Sequence, residues 1–199
     1  MNMELSDLNM FLILVSSLFV NNIILTKFLG LCPFFGISKR LSSSAGMGLA
    51  VIFVMLLSSS ATWLIYHFIL IPFNLLFLRT ATFILVIATL VQLLEIFLRR
   101  FIPPLYKTLG IYLPLITTNC AILGTAFLVV NYQLSFLQMI FYALGTSSGF
   151  FLVIFLFAGI RERISIAPIP EIFKEVPIAF LTAGLLSLAF MGFKGLFGL

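Results

Sequence analysis

Phe28-Leu29-Gly30-Leu31-Cys32-Pro33-Phe34-Phe35-Gly36 is a stretch that a helix cannot easily pass through. A helix entering it meets a proline that lacks an N–H and clashes with the preceding turn, and glycines weaken the helix on either side. A thiol sits at the break. Leu113-Pro114-Leu115-Ile116-Thr117-Thr118-Asn119-Cys120-Ala121-Ile122-Leu123-Gly124 again joins a cysteine, a proline and a glycine inside an apolar run. Cys32 and Cys120 are the only two cysteines, each followed four residues later by glycine, and they divide the chain into halves of three apolar segments each.

Around these breaks the composition is that of a polytopic membrane protein. Of 199 residues, 62% are hydrophobic and 9% charged, with a mean hydropathy of +1.27, which leaves too little polar surface to cover a water-soluble globule. The net charge of +5 does not point to nucleic acid, because the basic residues lie between the apolar runs and so speak to topology. Met1 to Asp7 carries Glu4 and Asp7 and no Lys or Arg, so it lacks the positive start of a secretory signal, and the first apolar run is expected to stay in the mature protein.

Apolar runs long enough to cross the hydrocarbon layer fall at 8–31, 45–68, 79–98, 109–130, 136–159 and 177–197. The expected fold is an all-α polytopic membrane protein, one integral domain over 1–199, with six transmembrane segments of which the first and fourth are broken. Short cytoplasmic loops are enriched in Lys and Arg. Lys39, Arg40, Arg99, Arg100, Lys107, Arg161, Arg163 and Lys174 follow segments one, three and five, while Arg79 and Lys194 lie on the other side. Both termini are therefore expected outside the cell inner membrane. Three crossings per half run the second half (about 101–199) upside down relative to the first (about 1–100), as in inverted-repeat proteins whose broken helices bring functional groups towards the midplane.

Isolated cysteines in a membrane are ordinarily packing residues. Here both sit at helix breaks, in the same C-x-x-x-G setting, at equivalent places of the expected repeat. A disulfide between them would only lock the halves together, whereas a soft thiolate pair suits iron–sulfur or zinc ligation, which usually takes four ligands. Two are missing from this chain. Asn21, Asn22, Thr117, Thr118 and Asn119 either satisfy backbone groups freed at the breaks or tune a cofactor through hydrogen bonds. His67, the only histidine, follows Trp63 and Tyr66 as an interfacial belt residue. Gly145 and Gly149, like Gly46 and Gly48, offer close helix contacts. No nucleotide-binding or nucleophile motif is evident.

Asn21-Asn22, Lys27 to Phe34, Leu113 to Cys120, Ile160-Arg161-Glu162-Arg163, Leu181 to Leu185 and Ala189 to Phe193 together resemble the integral membrane subunits of the Rnf electron-transport complex and their relatives in the sodium-translocating NADH:quinone reductase, the NqrDE/RnfAE family. Cys32-Pro33-Phe34 favours the Rnf branch. The resemblance implies a [2Fe-2S] cluster within the membrane, held by Cys32 and Cys120 together with two cysteines of a homologous, RnfE-like subunit. It also implies electron transfer between the two membrane faces, alongside other Rnf subunits, coupled to Na⁺ or H⁺ translocation. On that reading the chain is a translocase subunit without a complete active site of its own. A metal-free inverted-repeat transporter or channel is the alternative, and iron with acid-labile sulfide in the purified complex separates the two.

Overall fold

A computed structural model describes residues 9–38, 41–101, 113–168, 170, 173–174 and 176–196, all helix, turn or irregular chain among the described residues. Lys39, Arg40 and Lys107 of the topology reading lie outside them. The helices are α1 (Met10–Val15, continuing as a π turn Ser16–Val20), α2 (Ile23–Lys27), α3 (Leu31–Ile37) and α4 (Leu41–Ile65, continuing as a π turn Tyr66–Leu70). They are followed by α5 (Arg79–Phe101), α6 (Leu113–Thr117), α7 (Cys120–Asn131), α8 (Phe136–Ser165) and α9 (Val176–Leu196).

Four stretches are long and apolar enough to cross a membrane: Leu41–Leu70, Leu76–Phe97, Phe136–Ser165 and Val176–Phe193. They correspond to the second, third, fifth and sixth runs of the sequence. The first and fourth runs yield only the shorter apolar helices Met10–Val20 and Leu115–Asn131, because each is interrupted.

The interruptions do not fall on the prolines. Pro33 is the third residue of α3, inside a first turn whose N–H groups have no intrahelical acceptor, so its missing N–H costs nothing there, and Pro114 lies within α6. The first run breaks at Asn21–Asn22 and again over Phe28–Gly30, where Phe28 (φ 55°) and Gly30 (φ 85°) both turn left-handed. The fourth run breaks at Thr118–Asn119.

The core is built on α4 and α8, which pack antiparallel: Gly48 lies against Phe151 at one end, and Trp63 meets the Phe136 ring edge-on at the other. Over its most apolar window α8 is 56% buried, while α5 and α9 are 17% buried and lie at the periphery. Hydroxyls in these apolar helices mostly turn back on their own turns. Ser58 donates to the Val54 carbonyl, Thr62 to Ser58 at 2.7 Å and Thr125 to Ala121 at 2.8 Å, which satisfies them where lipid offers no partner.

The Gly145–Gly149 spacing does what the sequence leads one to expect and seats the first interrupted run. A Cβ at Gly149 would lie 2.9 Å from both the Leu18 carbonyl oxygen and Asn22 Nδ2, and one at Gly145 would lie 2.6 Å from the Leu14 carbonyl oxygen. Only bare backbone on α8 admits α1 this closely. His67 stacks on Trp63 with ring centroids 4.7 Å apart, and Trp63 Nε1 donates to the Leu134 carbonyl at 3.0 Å.

Candidate metal centre at the paired breaks

Each interruption is organised by an asparagine. Asn22 precedes α2 and accepts the Ile24 N–H on its side-chain oxygen at 3.2 Å; Asn119 precedes α7 and accepts the Ala121 N–H at 3.0 Å. Both are N-caps, the role that suits a short polar side chain just before a helix, and each replaces a partner that the broken ladder removed. Both are almost fully buried.

Several other polar groups of the first run are satisfied from the far half of the chain. Asn22 Nδ2 donates to the Gly149 carbonyl of α8 at 3.0 Å and to Leu18 at 3.3 Å. Ser187 of α9 donates to the Leu25 carbonyl at 2.8 Å. Arg161 of α8 donates through Nη1 to the Phe35 carbonyl at 2.9 Å and to Ser38 Oγ at 2.8 Å, so a cation closes the C-terminal end of α3. Aromatic packing holds the same helix. Phe34 stacks on Phe157 of α8 at 4.1 Å, and Phe35 on Phe180 of α9 at 4.4 Å.

The two breaks meet. The Gly30 N–H donates to Cys120 Sγ at 3.0 Å across 90 residues of sequence. A Cβ at Gly30 would approach Ala121 Cβ to 3.1 Å, Asn119 Oδ1 to 3.3 Å and Phe150 Cε2 to 2.9 Å, so glycine is required there both by its left-handed φ and by the contact. Leu29 presses on the second break in the same way, since a Cβ at Gly124 would come within 2.5 Å of Leu29 Cδ1. Cys120 is the first residue of the twelve-residue α7. Cys32 lies two residues beyond Gly30 in the first turn of α3.

Both sulfurs are free thiols, Cys32 exposed and Cys120 half-buried. Among the described residues no three His, Cys, Asp or Glu side chains gather into a metal-holding group. The donor set is chemically suited to an iron–sulfur group for which this chain would supply two of the four ligands. It offers two soft sulfurs on touching breaks, one already receiving an N–H, with the other turned to the surface where a second chain has access. A further donor stands ready. Asn119 Nδ2 is buried without a hydrogen-bond partner, a situation that costs about 1–3 kcal/mol if it persists. Its identity as nitrogen is fixed by the Ala121 N–H, which needs the oxygen on its own side.

Sequence reasoning found the cysteines and asparagines but not Arg161 or Ser187 as braces. Arg161 reads from sequence only as one of the loop charges, and its acceptors lie 126 and 123 residues away. The capping half of the asparagines was legible, because Asn directly before an apolar helical run is a cap signal.

Comparison with known proteins bears on this site. The family model described as Rnf-Nqr subunit, membrane protein, matches residues 10–197. Three proteins that carry the name of the A component of an ion-translocating oxidoreductase complex are similar over nearly their whole length. That of Pectobacterium atrosepticum is 56% identical over 185 residues, 93% of this chain and 96% of the relative. That of Azoarcus sp. strain BH72 is 53% identical over 185 residues, with the same shares of each chain. That of Syntrophotalea carbinolica is 52% identical over 188 residues, 94% of this chain and 97% of the relative.

Proposed function

Because the chain belongs to the Rnf-Nqr family of membrane subunits, we propose that it is a subunit of an ion-translocating oxidoreductase complex in which Cys32 and Cys120 supply half the ligands of a [2Fe-2S] cluster within the membrane. The other half comes from a homologous, RnfE-like subunit. The observation that carries the reading is the hydrogen bond from Gly30 N–H to Cys120 Sγ, which brings two thiol-bearing breaks from opposite halves of the chain into contact.

When bound, such a cluster takes up and releases one electron at a time. The chain's own residues hold and shield it. Cys32, exposed on α3, faces outward to complete the site with a second chain, and Cys120 anchors it at the N-terminus of α7. Phe34, Phe150, Ile116 and Ala121, all fully buried nearby, form an apolar wall that keeps water from the inner side. Arg161, Ser187 and Asn22 fix the first break, so that the spacing between the sulfurs does not drift.

On the same reading the two interrupted runs are also membrane crossings. The chain then spans six times as two inverted repeats of three, with both termini on the outer side of the cell inner membrane. The complex couples electron transfer through the cluster to movement of Na⁺ or H⁺.

The test is iron and acid-labile sulfide in this protein purified by itself and with its homologous partner. By itself it is expected to carry substoichiometric iron, and co-expression restores one two-iron cluster per pair. A full cluster in a demonstrated monomer overturns the sharing. A complex free of iron and sulfide overturns the cluster and leaves the metal-free transporter.

A further inference from the structure

Asn22 and Asn119 are twin caps at the two interruptions, and they differ at one atom. Asn22 Nδ2 has two carbonyl acceptors, Gly149 and Leu18. Asn119 Nδ2 has none, although the side chain is only 3% exposed. Water is not the default partner for a group at this depth in an apolar helix, and a buried amide donor left open calls for an acceptor. The amide belongs to the residue that precedes Cys120. Its oxygen faces Gly30, and the Gly30 N–H is the group bonded to Cys120 Sγ.

We propose that the Asn119 Nδ2–H is a hydrogen-bond donor to the sulfur that the metal centre brings to Cys120, acting with the Gly30 N–H to set the centre's reduction potential. The inference rests on the cluster reading above and adds to it a named tuning residue. One-electron reduction leaves more negative charge on the sulfurs, and an N–H aimed at them favours the reduced form. Asn22, whose amide is consumed by carbonyls of the α1 run and α8, has no such donor to give. The chain therefore tunes the centre from its second break and braces it from its first.

The experiment is a potentiometric EPR titration of the cluster in the intact complex carrying Asn119→Ser or Asn22→Ser. Serine keeps a capping oxygen at either position and leaves nothing where Nδ2 stood. Asn119→Ser is expected to retain full iron and to lower the midpoint by an amount equivalent to about a tenfold change in the reduction equilibrium, about 59 mV for one electron. Asn22→Ser is expected to leave the midpoint in place while lowering thermal stability. An unchanged midpoint in an iron-replete Asn119→Ser complex overturns the inference alone. Absence of iron and sulfide from the unsubstituted complex overturns the cluster reading and the inference with it. If Asn119→Ser does not assemble, pulsed EPR on unsubstituted complex grown with ¹⁵N-asparagine decides. A weak ¹⁵N coupling to the reduced centre supports the donor, and its absence refutes it.

Discussion

Asn22 and Asn119 occupy the same place in two different interruptions, yet only Asn22 uses both ends of its amide. The first break is tied into the rest of the molecule by Asn22 to Gly149, Ser187 to Leu25 and Arg161 to Phe35 and Ser38. The second is capped locally, and its thiol receives an N–H from the first. Matched local devices are thus braced unequally. A break whose polar groups are consumed by its own chain is a fixed support, whereas one that keeps a donor and a sulfur open is the one with capacity left for a ligand.

The sharpest way to break this comparison is to remove either sulfur. Cys32→Ser or Cys120→Ser is expected to leave the protein inserted and to abolish the cluster's EPR and optical signals, serine being nearly isosteric but a poor iron ligand here. Full iron content and electron transfer in both variants would return the cysteines to packing residues. Next in size is the contact between the breaks. Gly30→Ala combines a left-handed φ with a Cβ pressed on Phe150 and Ala121, and is expected to cost about 2–4 kcal/mol. Gly36→Ala meets nothing within 4 Å and is expected to gain about 0.5–1 kcal/mol in helix propensity. Thermal unfolding in detergent compares the two; equal effects would show that the breaks do not lean on each other.

The unequal bracing itself predicts unequal truncation. Asn22→Ala loses a cap and a buried hydrogen bond to the Gly149 carbonyl, about 2 kcal/mol, while Asn119→Ala loses a cap and relieves an open donor, at most about 1 kcal/mol. The same unfolding assay measures both, and a reversed order would contradict the assignment of support and ligand sides. The smallest effect concerns the cation at the end of α3. Arg161→Lys gives up the two-acceptor geometry and is expected to cost about 1 kcal/mol, whereas Arg163→Lys, at an exposed position, is expected to fall within about 0.5 kcal/mol of no change.

Four uninterrupted spans, two interrupted runs and the pairing of a cysteine with each interruption were legible, because hydropathy and helix-breaking chemistry act over a few neighbouring residues. The location of each break was less so. Pro33 and Pro114 marked the right neighbourhoods, but Pro33 stands in a first turn and Pro114 within α6, and the chain actually turns at Phe28–Gly30 and Thr118–Asn119. A proline reads the same from sequence whether it ends one helix or begins the next. The π turns at Ser16–Val20 and Tyr66–Leu70 lie inside continuous apolar runs, where hydropathy gives no sign of a widened turn.

By itself the sequence determined that this chain lives in a membrane as apolar helices, that two of its runs cannot stay continuous, and that a thiol and nearby Asn or Thr side chains accompany each interruption. Those properties follow from transfer free energies and from backbone hydrogen bonds made within one turn. Only the tertiary structure decided which groups satisfy the broken ladders. The Phe35 carbonyl meets Arg161, Leu25 meets Ser187 and Cys120 meets Gly30, across separations of 126, 162 and 90 residues. A freed carbonyl or amide accepts whatever partner the packing delivers within about 3 Å, and that delivery is a property of the folded chain as a whole.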